Sequence, residues 1–344
     1  MKQRVQPRTL FICLSLLCLL AVWLSLALGP VSLPLFDTLR AGLRLLGLPI
    51  AADGLQQAEM ILGQIRLPRT LLGLAVGAVL ALSGVAMQGL FRNPLADPGL
   101  VGVAAGAAMG AAVAIVGGAW FGMPEAFAPY LLSFCAFVGG LGVTALVYRL
   151  GRRDGQTNVA TMLLAGVAMT ALGGAAVGLF SYLADDATLR TLTFWNLGSL
   201  NGASYERLWP LLLVAAGVAV WLPRRAKALN ALLLGESEAR HLGVDVERLK
   251  RELVFCTALG VGAAVAAAGL IGFIGLVVPH LVRLLAGPDH RVVLPASLLA
   301  GGVLMLFADL AARLLLAPAE LPIGIVTAFI GAPFFLFLLI RGRS

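Results

Sequence analysis

Long apolar runs recur along this 344-residue chain, ten of them, each near the length needed to cross a bilayer. They decide the fold class before any other feature. Inside hydrocarbon a segment must satisfy its own backbone N–H and C=O groups, so only helices and closed β-barrels cross. A barrel would show segments of about ten residues with apolar and polar positions alternating. The runs here are continuous instead, which predicts an all-α polytopic membrane protein of about ten transmembrane helices. With 60% hydrophobic and 12% charged residues, too little polar surface remains to cover a soluble protein of this size. The expected spans are 9–29, 66–90, 99–118, 128–148, 157–181, 207–222, 252–271, 273–287, 292–313 and 323–340, within a single transmembrane domain, 1–344. The eighth is the weakest, because Gly272, Gly275 and Pro279 interrupt it and the seventh nearly merges with it.

The N-terminus places basic residues ahead of an apolar run, as a secretory signal does, but the run is long and further spans follow it. It reads as an uncleaved first span. Cys13, Cys18, Cys135 and Cys256 lie in or near apolar runs without a C-x-x-C spacing, which predicts packing roles and no metal site.

Lys and Arg collect on the cytoplasmic side of spanning proteins. With the N-terminus inside and ten spans, 18 of the 25 basic residues fall on that side, among them Lys2, Arg4, Lys250 and Arg343, and both termini are cytoplasmic. The net charge of +8 follows from this topology and calls for no nucleic acid. Arg66, Arg69 and Arg313 are exceptions at outer span ends. Two readings are open for them: snorkelling into headgroups, or docking of something acidic.

Glycines recur at helical spacing, in "GLAVG" at 73–77 and at Gly102, Gly106 and Gly110, as expected where helix backbones approach closely. A phosphate-binding loop needs a lysine after its second glycine, and Lys2, Lys227 and Lys250 all lack that setting, so the chain carries no ATPase of its own. A coupled carrier buries acidic residues mid-membrane; Asp309 is the nearest candidate, yet Arg313 follows it at the spacing of an intrahelical ion pair. The structural pair is favoured over a proton relay. His241, His280 and His290 have no second ligand at metal spacing and support no catalytic reading.

The one long polar stretch on the cytoplasmic side is 224–252, "RRAKALNALLLGESEARHLGVDVERLKRE". It predicts two short helices broken near Gly243, with too few apolar residues to span. Glu236, Glu238, Asp245, Glu247 and Glu252 disfavour a purely lipid-surface role, leaving docking onto a soluble protein.

The stretches "RLPRTLLGLAVGAVLALSGVAMQGLFRNPLADPGLVGVAAGAAMG", "LGESEARHLGVDVERLK", "GLIGFIGLVVPHLVRLLAGPDHRVVLPASLLAGG" and "ADLAARLLLAPAELPIGIVTAFIGAPFFLFLL" resemble the permease subunits of ABC importers for iron chelates, haem and cobalamin, the FecCD type. The likeness covers nearly the whole chain in order. It implies a type II importer permease fold, a homodimer with ten spans per subunit in the bacterial inner membrane, two cytoplasmic ATPase subunits that hold ATP and Mg, a periplasmic substrate-binding protein, and no cofactor or catalysis on this chain. By similarity, Arg66, Arg69 and Arg313 are binding-protein docking residues. Leu234, Gly235, Glu236, Glu238, Ala239, Arg240, Leu242, Gly243 and Val244 match the segment that couples to the ATPase. Asn93 and Leu95, with Thr157 and Asn158, fall where such permeases place their cytoplasmic gates.

The cargo is read from "LRTLTFWNLGSLNGASYERL" at 189–208, which resembles haem permeases more than cobalamin permeases. Phe194, Trp195 and Tyr205 are placed either to touch a flat macrocycle or to sit as interfacial belt residues. Haem is the favoured cargo, with a ferric siderophore or cobalamin as the alternative. A secondary transporter without ATPase partners, and a receptor that binds the outside protein without transport, are the readings from other classes.

Overall fold

The computed structural model describes residues 5–45, 47–49, 54–122, 124, 127–153 and 155–341. Lys2, Arg4 and Arg343, used above for orientation, lie outside the described residues. In chain order the helices are α1 (Pro7–Ala27), α2 (Leu35–Leu45), α3 (Gln56–Ile61), α4 (Leu67–Leu90), α5 (Val103–Trp120), α6 (Ala128–Leu150), α7 (Val159–Leu183), α8 (Asp186–Asn196), α9 (Tyr205–Arg224), α10 (Ala226–Leu232), α11 (Glu236–His241), α12 (Val246–Ala268), α13 (Ile274–Ala286), α14 (His290–Leu314) and α15 (Ile323–Arg341). A π-helical turn, Leu62–Arg66, joins α3 to α4, and a 3₁₀ turn, Pro98–Val101, precedes α5. Between α6 and α7 lies a small antiparallel hairpin, β1 (Arg152–Arg153) with β2 (Gln156–Thr157).

Among the described residues, eight helical segments are long and apolar enough to cross a membrane: α1, the continuous 35-residue rod from Gln56 to Leu90, α5, α6, α7, α9, α12 and α14. Two more apolar helices, α13 and α15, are shorter in apolar length. The expected eighth span is corrected here. At about 1.5 Å per residue, the 13 residues of α13 rise roughly 20 Å, less than a hydrocarbon core of about 30 Å. The cause is a turn with two left-handed residues, Gly269 (φ 71) and Phe273 (φ 69), which ends α12 at Ala268 and leaves only the inner part of the run to form a helix.

Helix starts follow cap chemistry. Asn158, Asp185, Asp245 and Asp289 each accept a hydrogen bond from a backbone N–H in the first turn of α7, α8, α12 and α14. The Asp289 carboxyl is held below the ordinary range by the Arg291 N–H and then by the Asn230 side chain.

The core is centred on α4, buried along nearly its whole length and packed by α14, α12, α9 and α13. Its close approaches run through glycine. A Cβ on Gly77 would strike the carbonyl of Gly301 in α14, and one on Gly84 would strike that of Gly275 in α13. The predicted small-residue face of α5 behaves the same way, with Gly106 against Gly139 and Gly110 against the Cys135 carbonyl in α6. By contrast, α7 buries only Met162, Gly166 and Gly173, and leaves Leu164, Val167, Leu172, Leu179 and Tyr182 exposed.

Candidate functional site

Polar chemistry collects at the two ends of the bundle. At the end read from the sequence as outer, Arg66, Arg69 and Arg313 are brought together but turned inward. The Arg66 guanidinium, 3% exposed, donates to the carbonyls of Leu26 (2.7 Å), Ala27 (2.8 Å) and Val31 (2.5 Å). Arg313 donates to the carbonyls of Leu28 (3.2 Å) and Ser25 (3.5 Å) and to the Ser25 hydroxyl (3.2 Å). The last carbonyls of a helix have no intrahelical partner and carry its negative dipole end. Two arginines from distant helices therefore cap the C-terminus of α1.

Arg69 makes the third arm. Its Nε and Nη2 donate to Asp309 Oδ1 at 3.0 and 2.9 Å, while Nη1 and Nη2 form a fork with Glu320, both at 3.0 Å. Arg313 Nε lies 3.0 Å from Asp309 Oδ2, close as a charge pair although not aligned as a hydrogen bond. The expected Asp309–Arg313 ion pair is thus present, enlarged to four residues by Arg69 and Glu320. The three expected docking residues are thus brought together, and all three are buried and held by internal acceptors.

At the inner end, the polar segment forms α10 and α11. They are separated at Gly235 (φ 129), while Gly243 (φ 82) follows α11, so the expected single break near Gly243 is corrected to two glycine turns. The membrane helix α12 also begins at Val246, six residues before the expected span. Asn230 anchors α10: it donates to Asp289 Oδ1 (2.6 Å) and accepts from the His290 N–H (2.9 Å). Ala239 is the one buried side chain of α11, whereas Leu234 and Leu242 flank that helix as exposed apolar residues. Arg225 stacks on Trp221 at 5.0 Å and pairs with Glu252 at 2.7 Å.

The four predicted gate residues divide. Asn93 and Leu95 are exposed in the loop after α4, the Asn93 Oδ1 accepting from the Leu95 N–H at 2.9 Å. Asn158 is exposed at the start of α7. Thr157 is buried. Its N–H donates to Glu247 Oε2 (2.8 Å), and its carbonyl accepts from Lys250 Nζ (2.9 Å). Lys250 also reaches Glu236 (2.8 Å) and Glu247 (3.2 Å). In sequence, Lys250 was one more cytoplasmic charge; its three-residue offset from Glu247 was the only hint of the pairing.

Of the aromatics, Phe194 is exposed, Trp195 packs against the core, and the Tyr205 hydroxyl donates to the Gly63 carbonyl at 2.7 Å. Tyr205 therefore ties the start of α9 to the π-helical turn. A cleft of about 690 Å³ runs along the facing sides of α5 and α7, with Asp97, Thr170 and Asn196 as the polar side chains of an otherwise apolar lining.

Comparison with known proteins places these features in context. The profile of the FecCD transport family matches residues 17–341. The hemin transport system permease protein HmuU of Yersinia pestis is 44% identical over 350 aligned positions, covering 100% of this chain and 99% of its own. The vitamin B12 import system permease protein BtuC of Salmonella paratyphi A is 43% identical over 328 positions, covering 95% of this chain and 94% of its own. A solved metal-chelate type ABC transporter in an inward-facing conformation superposes with a TM-score of 0.82 at 35% identity, covering 98% of this chain and 100% of that one.

Proposed function

Because the chain belongs to the FecCD transport family, we propose that it is the membrane permease of an ATP-driven importer whose cargo is haem, delivered by a periplasmic binding protein. It works as a homodimer in the bacterial inner membrane with both termini in the cytoplasm, and hydrolysis takes place on two separate ATPase subunits. The face of α7 supports the dimer. An apolar helix with three buried residues in its own subunit needs lipid or a second copy against the remainder. The exposed Leu234 and Leu242 beside α11 supply an apolar contact for a soluble partner on the cytoplasmic side.

The observation that carries the cargo is the lining of the α5–α7 cleft. Nearly all of it is apolar, which suits a flat, largely apolar macrocycle; a ligand rimmed with amides would leave its polar groups unpaired against such walls. Cobalamin is kept as the second reading on one specific ground: the vitamin B12 permease is 43% identical to this chain, against 44% for the hemin permease.

The test is uptake into proteoliposomes holding the permease and its ATPase, offered binding protein loaded with haem, a ferric siderophore or cobalamin. Haem is expected to accumulate only with ATP. Uptake no greater than in empty vesicles would exclude haem. Uptake independent of the ATPase would instead identify a secondary transporter.

A further inference from the structure

The Lys250 ammonium joins three parts of the chain that are otherwise separate. Glu236 belongs to α11, Glu247 to α12, and Thr157 to the β-hairpin that leads into α7. An ammonium has three protons and no acceptor, and the three acceptors here use all three. The side chain is 1% exposed, so water cannot replace a lost partner. Glu247 completes the joint by accepting the Thr157 N–H, so both backbone polar groups of Thr157 are held by residues of α12.

The helix that this joint grips is weakly held otherwise. With six residues and one buried side chain, α11 has little packing of its own, and its Arg240 pairs with Glu236 at 3.6 Å in a half-exposed setting. Its covalent link to α12 bends at Gly243. Lys250 is the buried link between α11 and the hairpin at 152–157, while the half-exposed Arg240 of α11 reaches Glu247 at the longer distance of 4.0 Å. A push on α11 that separated Glu236 from Lys250 would leave a buried ammonium short of one of its three acceptors, so the low-energy response is for the joint to move as a unit and take Thr157 with it.

We propose that Lys250 is a positioning residue that transmits movement of α11 to the hairpin before α7, and so couples ATPase action to the cytoplasmic entrance. The proposal rests on the reading of the chain as an ATP-driven permease.

The test uses the full complex with its ATPase and binding protein in proteoliposomes. Cys13, Cys18, Cys135 and Cys256 are replaced, and Gln156→Cys reports by its rate of maleimide labelling with and without ATP and vanadate. In the parent the labelling rate is expected to change with nucleotide. Lys250→Met is expected to abolish that response and lower uptake by at least about tenfold, the factor carried by one lost charge-assisted hydrogen bond, while ATP hydrolysis continues. Lys250→Met with Glu247→Gln guards against misfolding, because Glu236 then retains Arg240 and no buried charge is left unpaired; the same uncoupling is expected of it. Folded variants that take up cargo and label like the parent would overturn the proposal. So would loss of uptake together with ATP hydrolysis and subunit assembly, which is a structural role alone. A parent showing no ATP-dependent uptake would fail the importer reading instead, and is distinguished because the parent is scored first.

Discussion

Replacing Asp309 by asparagine keeps the shape of the outer cluster and removes the charge at its centre. Asp309 is 1% exposed and lies within 3.0 Å of both Arg69 and Arg313. At an effective dielectric of about 20, each contact is worth about 5 kcal/mol of Coulomb attraction, part of which offsets the desolvation of the carboxylate itself. The variant escapes that desolvation cost but leaves two buried guanidinium groups, with Glu320 reaching only Arg69. Breaking a buried pair on one side costs about 3–5 kcal/mol, and that is the expected loss for Asp309→Asn. Unfolding of the detergent-solubilised protein in rising mole fractions of dodecyl sulfate measures it. Arg313→Gln, alone and in combination, closes a double-mutant cycle, with a coupling of about 1–3 kcal/mol expected. A stability within about 1 kcal/mol of the parent, with additive effects in the cycle, would refute the clamp.

Gly77→Ala is expected to destabilise by at least about 1–3 kcal/mol in the same assay, because its Cβ meets backbone at Gly301 and neither helix can yield locally. Gly117→Ala, where a Cβ has nothing within 4 Å, is the control and should be neutral or gain up to about 1 kcal/mol from helix propensity. Leu234→Glu with Leu242→Glu is expected to leave folding unchanged and weaken capture of the ATPase subunit by at least about tenfold, read by co-purification at graded salt.

The apolar runs were legible in sequence because each helix in hydrocarbon must be apolar over its own length, a local property. The Asp309–Arg313 pair was legible for the same reason, since four residues place both on one helix face. Sequence is less informative where the deciding partner is distant. Nothing around Arg66 shows that its acceptors are carbonyls about forty residues earlier, because a carbonyl is present in every residue and leaves no mark in sequence. The positive-inside bias marks Arg66, Arg69 and Arg313 as exceptions, yet it offers only a side of the membrane and not a partner. The short α13 was partly legible, since Gly272, Gly275 and Pro279 mark the interruption, but Phe273 takes a left-handed conformation that its side chain disfavours, so residue type does not place the turn there.

Both ends of the bundle bury a charge network, and what surrounds each sets how it responds to force. In the outer one, Arg69 and Arg313 with Asp309 sit on α4 and α14, helices fastened to each other along Gly77 and Gly301. Moving any member there would require those backbones to part. The inner network has a different boundary. Thr157 and Lys250 are buried, but Glu236 rides on a six-residue helix flanked by glycine turns and by exposed leucines. Force applied to those leucines reaches a charge that is costly to separate before it reaches any packed core. On the proposed importer reading, a rigid clamp at one end and a movable joint at the end that docks the ATPase are what alternating access needs.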